Sequence, residues 1–467
     1  MQDKEKLKLL FITYTHSNGG GAEKVLTTLL NNLDSQKYDI SIFEIVNYNV
    51  KKEPLNSNVE FLGHLYSIYT PLYIRQIWDY VLELHPEIIK TIKNLDADIV
   101  ISWNYQKPSF MLPAFKDKKV IAWFHGAIDD LDYTHTSASD KYYRDLQRNA
   151  WDCADKIITI SNKSLKSLEK VFPEYLHKSR IIHNPIDIED IRQKAESSFE
   201  FNIEKYGYPF LTCIGRLDKN KNVSLVIQSL SKLNRVGIQC GLLVIGIGEE
   251  EVNLKAEAEK LEIYDKVFFL GYQQNPMPYL KQSKILCMSS FAEGFPTVVC
   301  EAMALGKPFV TTPVAGASEE LAYGEKCGLL ASWDVDDYTD KLKKLLTDTV
   351  LYTQMSENCL ERIKDFSVEN TVLKFENLLA SLPEKQTAEE VLLTKQEAFK
   401  KIKAVYVWYP DEILKRIKFS ITRFKTRKTF YHFMLFGYHI LNLSRYTLCT
   451  PFRMCTAKKV LLRKETV

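Results

Sequence analysis

The chain has 467 residues, which is too long for one ordinary hydrophobic core, so we expect two domains and an appended segment. Its 45% hydrophobic and 26% charged residues are typical of a folded, soluble protein. No stretch reaches the roughly 18 apolar residues that a membrane-spanning helix needs, and the first apolar run, residues 9–12, is too short for a signal peptide. The nine cysteines contain no CxxC pair, so the sequence predicts a reduced, cytoplasmic chain without a zinc site.

The charge is distributed unevenly along the chain. Residues 400–467 contain 16 Lys and Arg against 3 Asp and Glu, a local net charge of +13. Because the whole chain carries only +3, residues 1–399 must carry −10. A basic tail on a mildly acidic body predicts an anionic surface as a partner.

Short apolar runs alternate with amphipathic segments from the start of the chain. This alternation predicts a parallel sheet that is covered by helices on both faces. The predicted strands of the first half are residues 9–14, 40–45, 99–103, 120–124 and 156–160, and the first predicted helix is residues 22–33.

A second series of the same kind follows a charged stretch near residues 185–207. The predicted strands are residues 210–214, 242–245, 267–270, 285–289 and 309–312, and the predicted helices are residues 223–232, 252–261, a helix starting at Pro296, and 367–382. Two Rossmann-like halves in succession are the simplest interpretation, and the number of strands in each sheet stays open. Ligands of such sheets bind beyond the carboxyl ends of the strands, so the expected site is the cleft between the halves.

The first motif is the glycine-rich segment SNGGGAE at residues 17–23, which directly follows the first predicted strand. Its glycines permit positive φ and a close approach of the backbone to a ligand. The helix that follows can present free N–H groups to an anion. The spacing matches neither a P-loop nor GxGxxG, and a plain strand-to-helix turn is the alternative.

The second motif, FLTCIGRLDKNKN at residues 210–222, opens the second half. A strand ends at Gly215, and Arg216 and Lys221 then lie five residues apart before a helix. The planar guanidinium and the compact ammonium together suit the oxygens of a diphosphate. A solvated basic loop is the alternative.

The third motif is FAEGFPTVVCEAMALGKP at residues 291–308. Pro296 suits the first helical position and Gly306 a helix end, so the motif predicts a helix of about three turns. Glu293 precedes this helix and Glu301 lies inside it. Because carboxylates repel phosphate, we expect both to face hydroxyls or developing positive charge. The alternative is one glutamate that complements the helix dipole and one that is exposed.

The segments GGGAEKVL, GRLDKNKN, FAEGFPTVVCEAMALGKP and TPVAGASEEL resemble family 4 of the retaining GT-B glycosyltransferases, over residues 7–380. Glu293 and Glu301 have the E-x7-E spacing of that family. The resemblance implies an α/β, GT-B fold with two Rossmann-like domains facing across a cleft. The predicted boundaries are 1–190 for the acceptor domain, 191–366 for the nucleotide-sugar domain, 367–383 for a helix returning to the first domain, and 384–467 for a basic, helical extension.

The resemblance also implies roles for individual residues. Arg216 and Lys221 match the pair that grips the donor diphosphate, and Glu293 matches the glutamate beside the transferred sugar. His125 matches the histidine that contacts the donor sugar, although a lone histidine after a strand is more often structural. The other donor-binding positions that it implies are Gly20, Gly21, Gly215, Gly294, Phe295, Pro296, Thr297 and, for the ribose hydroxyls, Glu301.

The implied reaction is a retaining transfer from a nucleotide-diphosphate sugar to a glycan, with uridine as the commonest base. Arg216 and Lys221 would stabilise the leaving diphosphate, so neither a metal nor another cofactor is expected. Asp130 and Asp132 have the spacing of a metal-binding DxD motif, but a solvated acidic loop is the favoured interpretation there. Retention can arise by double displacement or by front-face attack, and the resemblance implies front-face attack assisted by the departing phosphate.

The basic tail departs from the usual end of the family. Its residues 413–427 place apolar side chains within about 100° of a helical wheel, which predicts an interfacial helix on anionic lipid. The predicted membrane contacts are Lys415, Arg416, Lys418, Arg423, Lys425 and Trp408. We therefore expect a peripheral protein on the inner face of the cell membrane, with a lipid-linked acceptor of surface polysaccharide or lipopolysaccharide. Packing onto the body or an oligomer contact are alternatives, and nucleic-acid binding is disfavoured because no matching motif is present.

Two other functions stay open at this stage. A nucleotide-sugar 2-epimerase of the same fold would process the donor without an acceptor. A catalytically silent subunit would act as a scaffold, but it would not need Arg216, Lys221, Glu293 and Glu301 all to be present.

Overall fold

The computed structural model describes residues 5–17, 20–50, 54–128, 138–198, 201, 203–384, 431–435 and 438–443. Two parallel sheets dominate these residues, and each forms the centre of one lobe. We call the lobe built on the earlier strands the first lobe and the other the second lobe.

The first lobe contains a seven-stranded sheet of order β3-β2-β1-β4-β5-β6-β7, with all neighbours parallel. Its strands are β1 Leu7–Thr13, β2 Tyr38–Asn47, β3 Val59–Ser67, β4 Ile99–Trp103, β5 Lys119–Phe124, β6 Lys156–Thr159 and β7 Ser179–Ile181. The helices are α1 Gly21–Asn32, α2 Leu72–Leu84, α3 Ile88–Lys93, α4 Lys107–Phe110, α5 Ala138–Asp152 and α6 Asn162–Val171. The next helix, α7 Ile188–Ala195, follows β7 in the chain but packs on the second lobe, where Arg192 donates to the carbonyl of Ala304 at 3.2 Å. The apolar run of β1 is fully buried because helices cover both faces of the sheet.

The second lobe contains a six-stranded parallel sheet of order β10-β9-β8-β11-β12-β13. Its strands are β8 Phe210–Ile214, β9 Gly241–Ile245, β10 Val267–Gly271, β11 Ile285–Met288, β12 Phe309–Thr311 and β13 Gly328–Leu330. The helices are α8 Val223–Arg235, α9 Glu251–Lys260, α10 Met277–Gln282, α11 Thr297–Ala304, α12 Val335–Thr347 and α13 Thr349–Arg362.

Both sheets reverse their strand order beside their first strand. In the first lobe this happens between β1 and β4, and in the second between β8 and β11. The loops that leave these strands therefore diverge and open a crevice, which is where ligands of doubly wound sheets bind. The glycine-rich segment and both motifs of the second half follow three of these four strands.

One more helix, α14 (Val368–Ala380), packs back onto the first lobe. The ring centroid of Phe375 lies 6.2 Å from that of Phe11 and 5.2 Å from that of Trp123. The start of this helix lies beside the linker, the segment near residue 186 that joins the two lobes, because the amide of Ile186 donates to the carbonyl of Phe366 at 2.9 Å. The chain therefore passes between the lobes twice, once at the linker and once before α14.

The structure confirms the predicted α/β fold with two Rossmann-like lobes and parallel sheets. The sequence does not predict the edge strands β3, β7 and β13, because β3 is largely half-buried and the other two have only three residues. The prediction that Pro296 is the first helical residue is wrong by one position. Pro296 is the N-cap of α11 with an extended ψ of 101°, and the helix begins at Thr297.

The described part of the tail is an antiparallel pair of strands, β14 Tyr431–Leu435 and β15 Tyr438–Leu443. The predicted amphipathic helix at 413–427, Trp408 and the acidic pair at 130 and 132 lie outside the described residues. Within the described ranges, no helix has both the length and the apolar character that crossing a bilayer requires.

Candidate active site

Lys221 and Glu293 form the centre of the candidate site. The Lys221 ammonium lies 2.5 Å from an oxygen of Glu293, and the two side chains are 23% and 17% exposed. The lysine stem passes over Gly215, where an added Cβ would lie 3.3 Å from Cε of Lys221. Gly215 has a φ of +150°, and this conformation favours a residue without a side chain.

Hydrogen bonds from the Asn220 and Ser289 side chains join the loop after β8 to the loop after β11. The Asn220 side chain donates to the carbonyl of Ala292 and accepts from its amide, both at 3.0 Å. The Ser289 hydroxyl donates to the carbonyls of Lys221 and Asn222 at 2.9 and 2.8 Å. Lys221 and Glu293 are therefore held together by the backbones that carry them as well as by their charges.

Arg216 is placed differently from Lys221. Its side chain is 79% exposed, and its guanidinium pairs with Asp218 at 3.1 Å. Arg216 and Lys221 both line a small cavity of about 20 Å³ between the ends of β8 and β11, together with Gly215, Ser289 and Ser290. The structure thus brings the two predicted cations to one place, but only Lys221 is enclosed there.

Glu301 lies on α11 and faces the first lobe. Its carboxylate is 2.8 Å from the ammonium of Lys24, which belongs to α1. The expectation that both glutamates face hydroxyls or positive charge on a ligand is incomplete, because within the protein each already faces a lysine. A carboxylate as enclosed as Glu293 or Glu301 needs a compensating partner, and the neighbouring lysines supply one.

The two lobes touch directly beside these pairs. A Cβ added at Gly294 would lie 3.1 Å from the Cα of Gly126 and 3.2 Å from Ile160 of the first lobe. One added at Gly21 would lie 3.9 Å from the hydroxyl of Thr297. Phe295 and Pro296 are buried under this contact. Of the predicted donor-binding residues, Gly21, Gly294, Phe295, Pro296 and Thr297 therefore lie together where the lobes meet.

The glycine-rich loop differs from the prediction in one respect. Gly20 is the N-cap of α1 with a φ of −85°, so neither it nor Gly21 uses the positive φ that glycine permits. An added Cβ at Gly20 would lie 2.4 Å from the Glu23 carboxylate, which is the end of a flexible side chain, so Glu23 folds back over Gly20 without making a glycine necessary there. The Glu23 carboxylate therefore lies against the first turn of α1. The helix N-terminus, expected to be free for an anion, thus holds an anionic side chain of its own.

His125 lies at the end of β5, beside Gly126. Its ring is 4.3 Å from that of Trp103 and stacks on Trp123 at 6.2 Å and 7°. Burial lowers the pKa of His125 to about 3, so the imidazole is neutral at physiological pH. Among the described residues, nothing hydrogen-bonds to its buried Nε2. The ring can therefore offer one hydrogen bond to a ligand without carrying charge.

Sequence reasoning missed Lys24, Asp218 and Asn220. Each lies within the segment GGGAEKVL or GRLDKNKN, but the residues around it in the sequence do not indicate which side chain or backbone group it contacts. Trp103 was missed as well, although its indole N–H donates to the carbonyl of Ala22 at 3.3 Å and links the glycine-rich loop to His125. A pattern search could have found only Asp218, because an Asp three residues before Lys221 has the spacing of a helix cap.

Two protein-family models match the chain, one on each side of the linker. The model described as Glycosyltransferase Family 4 matches residues 19–190, and the model described as Glycosyl transferases group 1 matches residues 194–362. Together they cover well over half of the chain, and they meet at the linker between the lobes. The chain is a family 4 glycosyltransferase. It is therefore an enzyme, and Lys221, Glu293 and Glu301 are the first residues to test for its activity.

Two relatives come from Campylobacter jejuni. One, N-acetylgalactosamine-N,N'-diacetylbacillosaminyl-diphospho-undecaprenol 4-alpha-N-acetylgalactosaminyltransferase, is 25% identical over 74% of this glycosyltransferase and 92% of its own length. The other, GalNAc-alpha-(1->4)-GalNAc-alpha-(1->3)-diNAcBac-PP-undecaprenol alpha-1,4-N-acetyl-D-galactosaminyltransferase, is 24% identical and covers 80% and 99%. Among solved structures, HepE from Anabaena in complex with UDP is similar with a TM-score of 0.60 and 18% identity, over 80% of this chain and all of that one. The fold of this glycosyltransferase is accordingly GT-B.

Within the described residues, no three His, Cys, Asp or Glu side chains are grouped so that they could hold a metal ion. That the reaction needs no metal stays a prediction, as do the roles of the individual site residues.

Proposed function

We propose that this glycosyltransferase moves a sugar from a UDP-linked donor to a lipid-linked glycan, with retention of anomeric configuration, during synthesis of a surface polysaccharide or lipopolysaccharide. The observation that carries the proposal is the enclosed pair of Lys221 and Glu293, held over Gly215 and next to the point where Gly294 meets Gly126. This places a fixed cation, a carboxylate and the neutral His125 around one contact between the lobes.

The chemistry follows from the charges of these groups. Transfer breaks the bond between the anomeric carbon and the phosphate oxygen, and the diphosphate leaves with the electron pair. Lys221 stabilises the charge that builds up there, and Arg216, which lines the same cavity, adds a second cation. The acceptor oxygen attacks from the face that the diphosphate leaves, and its proton passes to a phosphate oxygen. Glu293 and His125 orient the sugar, and a neutral imidazole with a pKa of about 3 is poorly suited to act as a base.

Donor, acceptor and stereochemistry are supported by the related proteins. HepE was solved with UDP, and the names of both Campylobacter relatives specify undecaprenol diphosphate acceptors and an alpha linkage. An alpha linkage is what a retaining enzyme forms from an α-linked nucleotide sugar. The basic tail supports an acceptor at a membrane, because cationic residues are attracted to anionic lipid headgroups.

One assay tests these parts together. The full-length protein is mixed with UDP-, GDP- or ADP-sugars and with vesicles of anionic or zwitterionic lipid that carry a polyprenyl-diphosphate disaccharide. We expect transfer from a UDP-sugar, an α-anomeric proton in the product by NMR, and co-sedimentation with the anionic vesicles only.

A thermal-shift screen carried out before this assay identifies the donor, since a ligand at 100 times its Kd should stabilise the fold by about 2.7 kcal/mol.

Each other outcome identifies a different error in the proposal. Equilibration of the UDP-sugar without any acceptor would identify an epimerase, and binding of no nucleotide would identify a silent subunit. A β-anomeric product would overturn retention alone. Equal partitioning of the protein to both kinds of vesicle would overturn the attachment through anionic lipid and leave the transfer reaction standing.

A further inference from the structure

Lys24 connects the two lobes at the carboxylate expected to hold the nucleotide ribose. It lies in the first turns of α1, directly after the glycine-rich loop, and its ammonium is 2.8 Å from Oε1 of Glu301 on α11. The two residues are 277 positions apart in the chain. The contact therefore exists only when the glycine-rich loop of the first lobe lies against α11 of the second.

This pair differs from an ordinary surface ion pair. The Glu301 side chain is 11% exposed and that of Lys24 is 42% exposed, so the carboxylate is enclosed while the ammonium still reaches water. The charge of the enclosed carboxylate is less screened than that of a surface group. The lobes also touch beside it, because an added Cβ at Gly21 would lie 3.9 Å from the hydroxyl of Thr297, the first residue of α11. Lys24 thus contacts Glu301 at the point where the glycine-rich loop meets α11.

A carboxylate can satisfy more than one donor. Its two oxygens offer about four acceptor positions, so the contact with Lys24 leaves capacity for the two hydroxyls of a ribose. A Glu301 side chain held by Lys24 loses little further freedom when the ribose binds. Preorganisation of this kind improves affinity because the ordering has already taken place.

We infer that Lys24 is a positioning residue for the donor: it orients Glu301 toward the ribose and links donor binding to closure of the glycine-rich loop on α11. The inference rests on the proposed function, since it requires a nucleoside diphosphate at Glu301. In this arrangement, the nucleotide and the first lobe bind opposite sides of one carboxylate, and each strengthens the binding of the other.

The test measures binding of UDP, GDP and ADP by calorimetry to the wild type, Lys24→Met, Lys24→Arg, Glu301→Gln and the double variant Lys24→Met/Glu301→Gln. We expect Lys24→Met to weaken binding of the preferred nucleotide about tenfold, Lys24→Arg to restore most of it, and the double variant to be no weaker than Glu301→Gln alone. The donor KM should rise while the acceptor KM does not change. Small-angle scattering should show a smaller UDP-induced compaction for Lys24→Met.

The matched control is Lys166→Met. Lys166 pairs with Glu319 at 2.6 Å and also connects the lobes, but these side chains are 65% and 48% exposed. Its loss should change nucleotide affinity less than twofold. Equal Kd values for Lys24→Met and the wild type, while Glu301→Gln binds more weakly, would overturn the role of Lys24 alone. If the wild type binds none of the three nucleotides, the proposed function fails as well. Melting temperatures without ligand identify any variant that simply fails to fold.

Discussion

The two lobes place a glycine loop at the same topological position, but the side chain packed against the glycine has opposite charge. After β1, the carboxylate of Glu23 folds back over Gly20, the N-cap of the helix that follows. After β8, the stem of Lys221 passes over Gly215. A phosphate would be repelled at the first loop and attracted at the second, so two similar folds differ in which loop can receive the diphosphate.

The difference is local in origin. Glu23 lies three residues after Gly20, and Lys221 lies six residues after Gly215. The charge beside each glycine is therefore determined by the sequence of the same short segment. The next residue of the first loop, Lys24, points to the other lobe instead. Adjacent residues of one helix turn thus have separate tasks, because successive side chains on a helix face different directions.

Substitution of Lys221, the cation of the second loop, should have the largest effect on activity. Lys221→Met removes the enclosed cation beside the leaving group, and we expect kcat/KM to fall by about 10²–10³-fold, the scale of one preorganised donor in a closed site. Initial rates with the donor found by the thermal-shift screen measure the effect. Lys219→Met is the matched control, since Lys219 lies two residues earlier in the same loop and is exposed; its rate should stay within about twofold.

A loss of stability could imitate this result, because Lys221→Met leaves the enclosed Glu293 without its lysine. The double variant Lys221→Met/Glu293→Gln removes both charges and should recover much of the melting temperature without recovering the rate. Equal rates for the Lys219 and Lys221 variants would show that the diphosphate does not bind at this loop.

The sequence predicts the central strands and the loops that carry the site, because continuous apolar runs, glycines and a helix-starting proline are local signals. It does not predict the weak edge strand β3, whose half-buried residues lack a clear pattern. The sequence shows that Gly215 and Lys221 belong to one motif. It does not predict that the lysine side chain passes over the glycine, whose φ is +150°.

The pairing of side chains is harder to predict than their presence. Lys24 and Glu301 come from different lobes, and only the closed arrangement of the two sheets brings them together. The contact of Asn220 with Ala292 likewise joins loops that are 72 residues apart. The sequence therefore indicates which residues form the site, while the partner of each charge depends on long-range packing.

The pH dependence of stability tests whether His125 of the first lobe is a neutral group beside the contact of Gly126 with Gly294. The unfolded chain has a histidine pKa near 6.5, whereas burial lowers the pKa of His125 to about 3. Between these values only the unfolded state takes up the proton, so stability falls as the pH drops from 6.5. The expected loss is about 2 kcal/mol at pH 5 relative to pH 8.

Urea unfolding at pH 8 and pH 5 measures this loss. His125→Asn should show correspondingly less of it, although a part remains because burial also lowers the pKa of His183, to about 4. The exposed His177 of the same lobe provides a matched variant, His177→Asn, which should keep the pH dependence of the wild type. An unchanged pH dependence in His125→Asn would mean that the imidazole is not neutral when buried.

Glu23→Gln tests the loop after β1 and should have the smallest effect of these substitutions, a small change in melting temperature. Burial raises the pKa of the Glu23 carboxyl more than its two amide contacts lower it, so the ionised group costs stability at neutral pH. The glutamine should raise the melting temperature at pH 7.5 by on the order of 1–2 °C, and the gain should shrink as the pH falls toward 4. Glu60→Gln, at an exposed glutamate of β3, should give no such gain.

The same Glu23→Gln variant also tests where the diphosphate binds. Because the diphosphate is assigned to the second loop, UDP affinity should change less than about threefold. A tenfold rise would instead place the diphosphate at the helix N-terminus that Glu23 now fills.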